Sequence, residues 1–155
     1  MKRVATIAAV VLATTVGVSA AEAAISKGTF AGKTSKGDPV GLKVDKKHRV
    51  VSFYYEGVTL SCTDGDSITT PTGKDRVITP TSVKFKINAA RKWGIHAKND
   101  DTGFGWDADA RFNASGSKTT GTLSIFATFN DQNEQDPNGS VRCESGDLKF
   151  SLKRK

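Results

Sequence analysis

The chain has 155 residues, of which 37% are hydrophobic and 25% are charged, and its formal net charge is +7 at pH 7. This length provides one domain with enough chain to bury a real core. If the two cysteines form a disulfide, the two histidines that remain are too few for the ligand set of a structural zinc site. The excess of lysine and arginine favours attraction to anionic surfaces.

The first 23 residues have the three parts of a secretory signal peptide. Lys2 and Arg3 form a basic start, residues 4–20 carry no charge, and small residues then give two cleavage patterns, Val18-Ser19-Ala20 at the end of this stretch and Ala21-Glu22-Ala23 directly after it. A transmembrane anchor is the alternative, but threonine, glycine and serine interrupt an apolar run that falls short of the roughly 20 residues a span prefers. We therefore predict a secreted or envelope-held protein with a signal over residues 1–23, one domain over residues 24–155 and no transmembrane anchor.

Two cysteines in an exported chain are most simply a pair. A redox or catalytic thiol is the alternative, but there is no Cys-x-x-Cys motif and neither cysteine has a histidine nearby in sequence. We predict a disulfide between Cys62 and Cys143 that closes most of the domain into one loop.

After the signal, short runs of alternating apolar and polar residues are separated by turn residues, which is typical of antiparallel β proteins. The first run places Val40, Leu42 and Val44 on one face and ends at the polar hairpin Asp45-Lys46-Lys47-His48. Further strands are predicted over residues 50–56, 58–62, 83–87, 93–97, 104–112, 123–129, 141–143 and 148–152, with a loop and one short edge strand over residues 67–81.

The run over residues 104–112 shows this alternation clearly. Its apolar face is Phe104, Trp106, Ala108, Ala110 and Phe112, and its polar face is Asp107, Asp109 and Arg111. About eight or nine strands at this spacing predict an antiparallel β-sandwich, with a closed β-barrel as the alternative. We favour the sandwich because loops of unequal length and widely separated cysteines suit two packed sheets.

The opening Gly28-Thr29-Phe30-Ala31-Gly32-Lys33-Thr34, followed by Gly37-Asp38-Pro39-Val40, resembles the start of small exported proteins of actinobacteria. The resemblance continues through Gly121-Thr122-Leu123 and a late Cys-x-Ser-Gly segment. It implies location and fold but no activity. The opening is also similar to the Gly-x-Trp start of lipocalin and avidin barrels, although Phe30 stands in place of the tryptophan, which argues against a ligand cavity.

Asp107 and Asp109 are the strongest candidates for catalysis, because two carboxylates on one strand face resemble the acid pair of a glycosidase. One of them would need an apolar pocket to raise its pKa, and Arg111 on the same face indicates an ordinary exposed charge pattern. His48 and His96 are expected at the surface, and there is no Gly-x-Ser-x-Gly motif. We predict no catalytic residues and no enzyme, with a small carboxylate-based extracellular hydrolase as the alternative.

One loop has two alternative interpretations. Asp131-x-Asn133-x-Gln135 places oxygen ligands at alternate positions, as a calcium loop does, but Asp136 stands where that loop needs glycine and no glutamate closes it. We predict no metal site and no cofactor. The same loop, residues 130–140, is the expected contact if the protein is a secreted inhibitor or toxin-like effector.

Binding is the function class that remains. Tyr54 and Tyr55 point to opposite strand faces, so one is expected to be exposed, close in sequence to the basic residues Lys46, Lys47 and Arg49. An exposed ring among cations can stack on a sugar or lie against an acidic polymer. We predict a secreted, non-catalytic binding or envelope-associated protein that contacts an anionic envelope polymer or polysaccharide through these five residues. Nucleic acid is not the expected partner.

Overall fold

The computed structural model describes Ile25 and residues 27–73, 77–78, 84–99, 103–130 and 140–155. Within these ranges twelve strands form: β1 (Gly28–Thr34), β2 (Pro39–Val44), β3 (Arg49–Tyr55), β4 (Thr59–Cys62), β5 (Ser67–Thr69), β6 (Val77–Ile78), β7 (Phe85–Lys86), β8 (Lys92–Asn99), β9 (Phe104–Phe112), β10 (Lys118–Asn130), β11 (Ser140–Glu144) and β12 (Leu148–Arg154). The predicted signal peptide lies outside the described residues. Among those described, no helix has the length and apolarity that a membrane crossing requires.

The strands follow the alternation in the sequence. In β12, the buried residues are Leu148, Phe150 and Leu152, and the exposed residues between them are Lys149, Ser151 and Lys153. Successive side chains of a strand point to opposite faces, so this pattern gives each strand one apolar face for the core and one polar face for solvent.

The strands form one antiparallel sheet, whose main path of hydrogen-bonded neighbours is β5–β4–β11–β10–β12–β1–β2–β3–β6. β9 pairs with the other edge of β10, β8 pairs with β9, and β7 pairs with β3. The predicted antiparallel β fold is confirmed. The strands outnumber the prediction because β1 was not among the predicted runs, and because residues 67–81 contain two short strands, β5 and β6, where one was predicted.

A β-bulge joins β11 to β12, which pair one after the other along the same edge of β10. At the bulge, the Ser145 N–H donates to the Ile125 carbonyl and the Ile125 N–H donates to Ser145 Oγ, both at 2.9 Å. Gly146 has a φ of 64°, which favours glycine. Asp147 then lies on the outer face, where its carboxylate accepts a hydrogen bond from Ser124 Oγ at 2.6 Å.

The sheet curls until its two ends approach each other. β3, near one end, pairs with β7 at Val50 and Phe85. β7 in turn contacts β8, the strand at the other end, through a turn in which the Asn88 N–H donates to the Lys92 carbonyl at 2.9 Å. The halves of the curled sheet therefore face each other around a single core, as two packed sheets do.

Aromatic rings fill the centre of this core. Phe53 stacks on Trp106 with ring centroids 5.2 Å apart, and the rings of Tyr55, Trp93 and Phe150 lie 5.6–6.4 Å from Phe53. The Trp93 indole N–H donates to the buried Thr119 hydroxyl at 3.3 Å, which satisfies its polar atom. Both tryptophans are buried, as their positions in the alternation require.

The predicted disulfide between Cys62 and Cys143 is confirmed. The two cysteines are directly opposite each other in β4 and β11. Within the described residues only one further pair, Ser61 with Glu144, belongs to this ladder. The disulfide therefore adds a covalent link to this short ladder and to the two hydrogen bonds between Thr63 and Arg142, which together join the β4–β5 hairpin to β11.

Tyr55→Phe is expected to raise the free energy of unfolding by about 1 kcal/mol at neutral pH, because the buried Tyr55 hydroxyl has no hydrogen-bond partner among the described residues. Burial raises the pKa of Tyr55 above its ordinary value. Above about pH 10 the folded state keeps a proton that the unfolded chain releases, so the wild type loses stability there. The Tyr55→Phe variant has no such group and does not lose stability in this way. Urea unfolding at neutral and at alkaline pH measures both differences in stability. A variant less stable than the wild type at neutral pH would contradict the expected gain.

Replacement of both cysteines, Cys62→Ala with Cys143→Ala, is expected to lower the free energy of unfolding by up to about 4–5 kcal/mol, the chain-entropy value for their separation of 81 residues. Guanidinium unfolding measures the loss. Hydrogen exchange should also accelerate more in β4 and β5 than in β1 and β2. Equal acceleration in all four strands would show that the bond does not act as a local link.

Candidate functional site

The basic hairpin predicted from the sequence connects β2 to β3. Lys46 and Lys47 are exposed at its tip. The Asp45 carboxylate accepts hydrogen bonds from the Arg49 guanidinium at 2.6 Å and from the N–H groups of Lys47 and Arg49 at 2.8 and 2.9 Å. These bonds, first of all the one from the Arg49 side chain, hold the pKa of Asp45 below its ordinary value. Arg49 therefore stabilises the turn, and Lys46 and Lys47 are the exposed cations of the hairpin that a partner could contact.

The two tyrosines lie apart from this hairpin. Tyr55 is buried in the core with no exposed surface, so it cannot contact a partner at the surface, and its predicted contact role is corrected. Tyr54 is half-buried on the outer face, with its ring over Gly41, where a Cβ would clash with it. Along the extended strand Tyr54 is about 17 Å from Arg49. The five residues proposed from the sequence therefore do not form one site.

A different set of cations lies on the outer face of the sheet. Five neighbouring strands, β8–β9–β10–β12–β1, each place an outward lysine or arginine near one end of this face, and β8 and β12 carry a further one elsewhere on it, Lys98 and Lys149. Together the five residues near that end form the cationic band: Lys92, Arg111, Lys118, Lys153 and Lys33. Four of them are exposed and Lys118 is half-buried. Their neighbours in each strand face the core, so these side chains must point outward.

The strand register places each member of the cationic band beside the next. Lys92 is directly opposite Arg111, and Lys118 is directly opposite Lys153. The steps from Arg111 to Lys118 and from Lys153 to Lys33 are diagonal. Side chains in both relations are close enough to interact across a sheet. The band is therefore continuous across five strands.

No member of the cationic band forms an ion pair with another described residue. Like charges placed directly opposite each other destabilise a sheet, on the scale of roughly 0.2–1 kcal/mol per cross-strand pair. With strands about 4.8 Å apart, the band spans about 19 Å. An anionic ligand that lies across the strands would neutralise several of these charges at once.

The other end of the same outer face carries carboxylates. His96, Asp107, Ser124 and Asp147 form a row across the strands from β8 to the bulge. His96 Nδ1 donates to the Asp107 carboxylate, whereas Ser124 Oγ donates to Asp147. Asp107 therefore separates the imidazole from the hydroxyl, and the row lacks the serine–histidine contact of a catalytic triad.

A cleft of about 330 Å³ opens beside this row. It is lined by Asp107, Ser124, Ile125, Phe126, Arg142, Glu144, Gly146 and Asp147. Arg142 and Glu144 form an ion pair on β11. The half-buried Phe126 has its ring over Gly105 on β9, where a Cβ would clash with it. The cleft thus combines an aromatic surface with convergent polar groups, as small-ligand sites do.

Asp107 and Asp109 share the outer face of β9, as the alternation predicts, but their side chains meet different neighbours. Asp107 accepts the hydrogen bond from His96 and lines the cleft. The Asp109 carboxylate lies over Gly94 on β8, where a Cβ would clash with it. The carboxylate-based hydrolase stays a prediction.

Within the described ranges, no group of three or more His, Cys, Asp or Glu side chains is placed to hold a metal ion. The calcium-like segment Asp131-x-Asn133-x-Gln135 lies outside those ranges, as does nearly all of the loop over residues 130–140. The inhibitor or effector alternative that uses this loop stays a prediction.

Comparison of the chain with protein-family models, with curated proteins and with solved structures finds no match. The resemblance to exported proteins of actinobacteria therefore stays a prediction. A functional proposal for this chain rests on the geometry of its own surface.

Sequence reasoning missed both the cationic band and the cleft. Alternation does place the band residues on the outer face, but it does not show which strands are neighbours. Phe126 carried a detectable signal, since it is a large aromatic residue at an outward position between the buried Ile125 and Ala127. Its role became visible only with Gly105 beneath it.

Lys118→Gln and Lys153→Gln, made singly, are each expected to raise the free energy of unfolding by roughly 0.2–1 kcal/mol at low ionic strength, because each removes one charge from a directly opposed pair. The gain should shrink near 1 M salt, where charges are screened within about 3 Å. Urea unfolding at low and high salt measures it. Lys47→Gln, at the exposed hairpin tip, is the control. An equal rise in the free energy of unfolding for this variant would show that the effect comes from net charge alone.

Proposed function

We propose that the protein is an exported, non-catalytic binding module that holds a linear anionic polymer of the cell envelope across strands β8–β9–β10–β12–β1. The observation that carries this proposal is the cationic band, to which each of five neighbouring strands contributes one member. The ligand chemistry is a regular series of negative charges, from either the carboxylates of an acidic polysaccharide or the phosphates of a phosphate polymer.

The spacing of the cationic band favours a polymer over a single small anion. Its charges are distributed over about 19 Å, so one phosphate or carboxylate group reaches only a direct pair such as Lys118 and Lys153. An extended polymer contacts all five side chains and releases the counterions that accompanied them, which makes its affinity depend strongly on salt. The net charge of +7 also favours encounter with any polyanion.

Two features support a site of action outside the cytoplasm. The Cys62–Cys143 disulfide belongs to the class of bond that persists in oxidising compartments. The predicted signal peptide agrees with this location. The linear polyanions that an exported protein meets at its own cell surface are envelope polymers, so we propose these as the partner and not nucleic acid.

Binding to polygalacturonate and to polyphosphate tests the proposal, since these two probes distinguish carboxylate from phosphate chemistry. The double variant Lys118→Gln with Lys153→Gln should weaken binding of the preferred probe by roughly tenfold or more at low salt, at about 1 kcal/mol per lysine. It should also reduce the slope of log K against log salt by about 2. Titration calorimetry at several salt concentrations measures both quantities.

The matched control is Lys46→Gln with Lys47→Gln, which makes the same change of charge at the hairpin. We expect it to weaken binding by less than about threefold, because these lysines lie outside the cationic band. Equal losses in the two double variants would show attraction by net charge without a defined site. No binding of either probe at low salt would refute the proposed function.

A further inference from the structure

The cleft between β9, β10, β11 and the bulge is separate from the cationic band. Along β10, Lys118 in the band and Ser124 in the cleft are about 20 Å apart. The cleft also has the opposite charge, because three carboxylates, those of Asp107, Glu144 and Asp147, line it together with one guanidinium, that of Arg142. A polyanion held by the band is therefore not the ligand for which the cleft is suited.

The aromatic side of the cleft is the ring of Phe126. Its position is held from below by Gly105, since no larger residue there leaves room for the ring. Glu144 is directly opposite Phe126 on the neighbouring strand, so a carboxylate stands beside the ring. An aromatic ring attracts a cation to its face, and a carboxylate within reach of that cation can pair with it.

The carboxylates of the cleft differ in how far they are already neutralised. Asp107 accepts from His96, and Glu144 pairs with Arg142. Asp147 accepts a hydrogen bond from the neutral Ser124 hydroxyl at 2.6 Å and has no cationic partner in the described part of the chain. The cleft therefore keeps one carboxylate for a positively charged ligand.

The β-bulge gives this carboxylate a fixed position. Both backbone hydrogen-bonding groups of Ile125 are occupied by Ser145, which ties the bulge to β10. Gly146 then turns the chain so that Asp147 reaches the outer face beside Ser124. The Asp147 carboxylate therefore has a fixed position before any ligand binds, which reduces the conformational entropy that is lost on binding.

We propose that this cleft binds a protonated amino sugar. The ammonium group lies between the Phe126 ring and the Asp147 carboxylate. The sugar ring covers the remaining aromatic surface, and its hydroxyls bond to Ser124 and Arg142. The volume of about 330 Å³ suits one small ligand group and not an extended chain. This site is independent of the polymer-binding function proposed for the cationic band.

Binding of a glucosamine tetramer, compared with the N-acetylglucosamine tetramer at about pH 6, tests the proposal. The two probes share their ring and linkage, but acetylation removes the charge. We expect the charged tetramer to bind at least tenfold more tightly, in spite of the positive net charge of the protein. Amide NMR shifts should map to the end of β11, the bulge and the middle of β10.

Asp147→Asn should weaken binding of the glucosamine tetramer about tenfold by removing the charge-assisted bond. Phe126→Leu should weaken it about threefold, because leucine still covers Gly105 but offers no ring face. Asp109→Asn is the matched control: it makes the same charge change on the same outer face, away from the cleft. Thermal unfolding of each variant separates loss of binding from loss of fold.

Equal affinity for the two tetramers would overturn the proposal, because the cleft would then not recognise the ammonium group. If Asp109→Asn lost as much affinity as Asp147→Asn, general charge attraction and not the cleft would explain the binding. Absence of NMR shifts for either tetramer at millimolar concentration would also overturn it. None of these results depends on whether a polyanion binds to the cationic band.

Discussion

The register of β10 is the constraint on which the rest of the structure depends. Its 13 residues pair with β9 on one edge and with β12 and then β11 on the other. Its inward residues, Leu123, Ile125 and Ala127, are fully or almost fully buried, while its outward residues Lys118 and Phe126 belong to the band and the cleft. A shift by one residue would exchange the two faces. Burial of the apolar face therefore positions surface groups that contribute little packing energy themselves.

The packing of the interior explains why the candidate sites lie outside it. Phe53 is surrounded by rings at the centre of the curled sheet, and Phe30 packs against Phe112 with centroids 5.2 Å apart. In a ligand-holding β-barrel this space is open, whereas here side chains occupy it. The Tyr55 hydroxyl shows the cost of such dense packing, because it is buried without a partner among the described residues. Recognition is left to the outward half of each strand.

The sequence predicted the features that depend on residues close together in the chain. Alternation identified the buried face of β9 and β12, turn residues identified the hairpin at Asp45, and two cysteines in a chain with a predicted signal peptide identified the disulfide. The register was not accessible, because it is set by how distant strands pack. Lys118 meets Lys153 only because β10 and β12 are neighbours. The sequence also did not distinguish Tyr54 from Tyr55, because alternation showed that one of the two is exposed but not which one.

The two proposed sites of the outer face differ in charge, since the band holds five cations whereas three carboxylates and one guanidinium line the cleft, and this difference separates the ligands proposed for them. At the band, opposed cations repel one another, and a polyanion relieves this repulsion. At the cleft, the positive net charge of the protein disfavours an ammonium group, and only the fixed carboxylates nearby offset it. Stability alone would favour mixed charges along every strand pair. Grouping like charges lowers the stability of the sheet. In a protein whose sequence otherwise favours its fold, positions that lower stability in this way are where functional sites are expected.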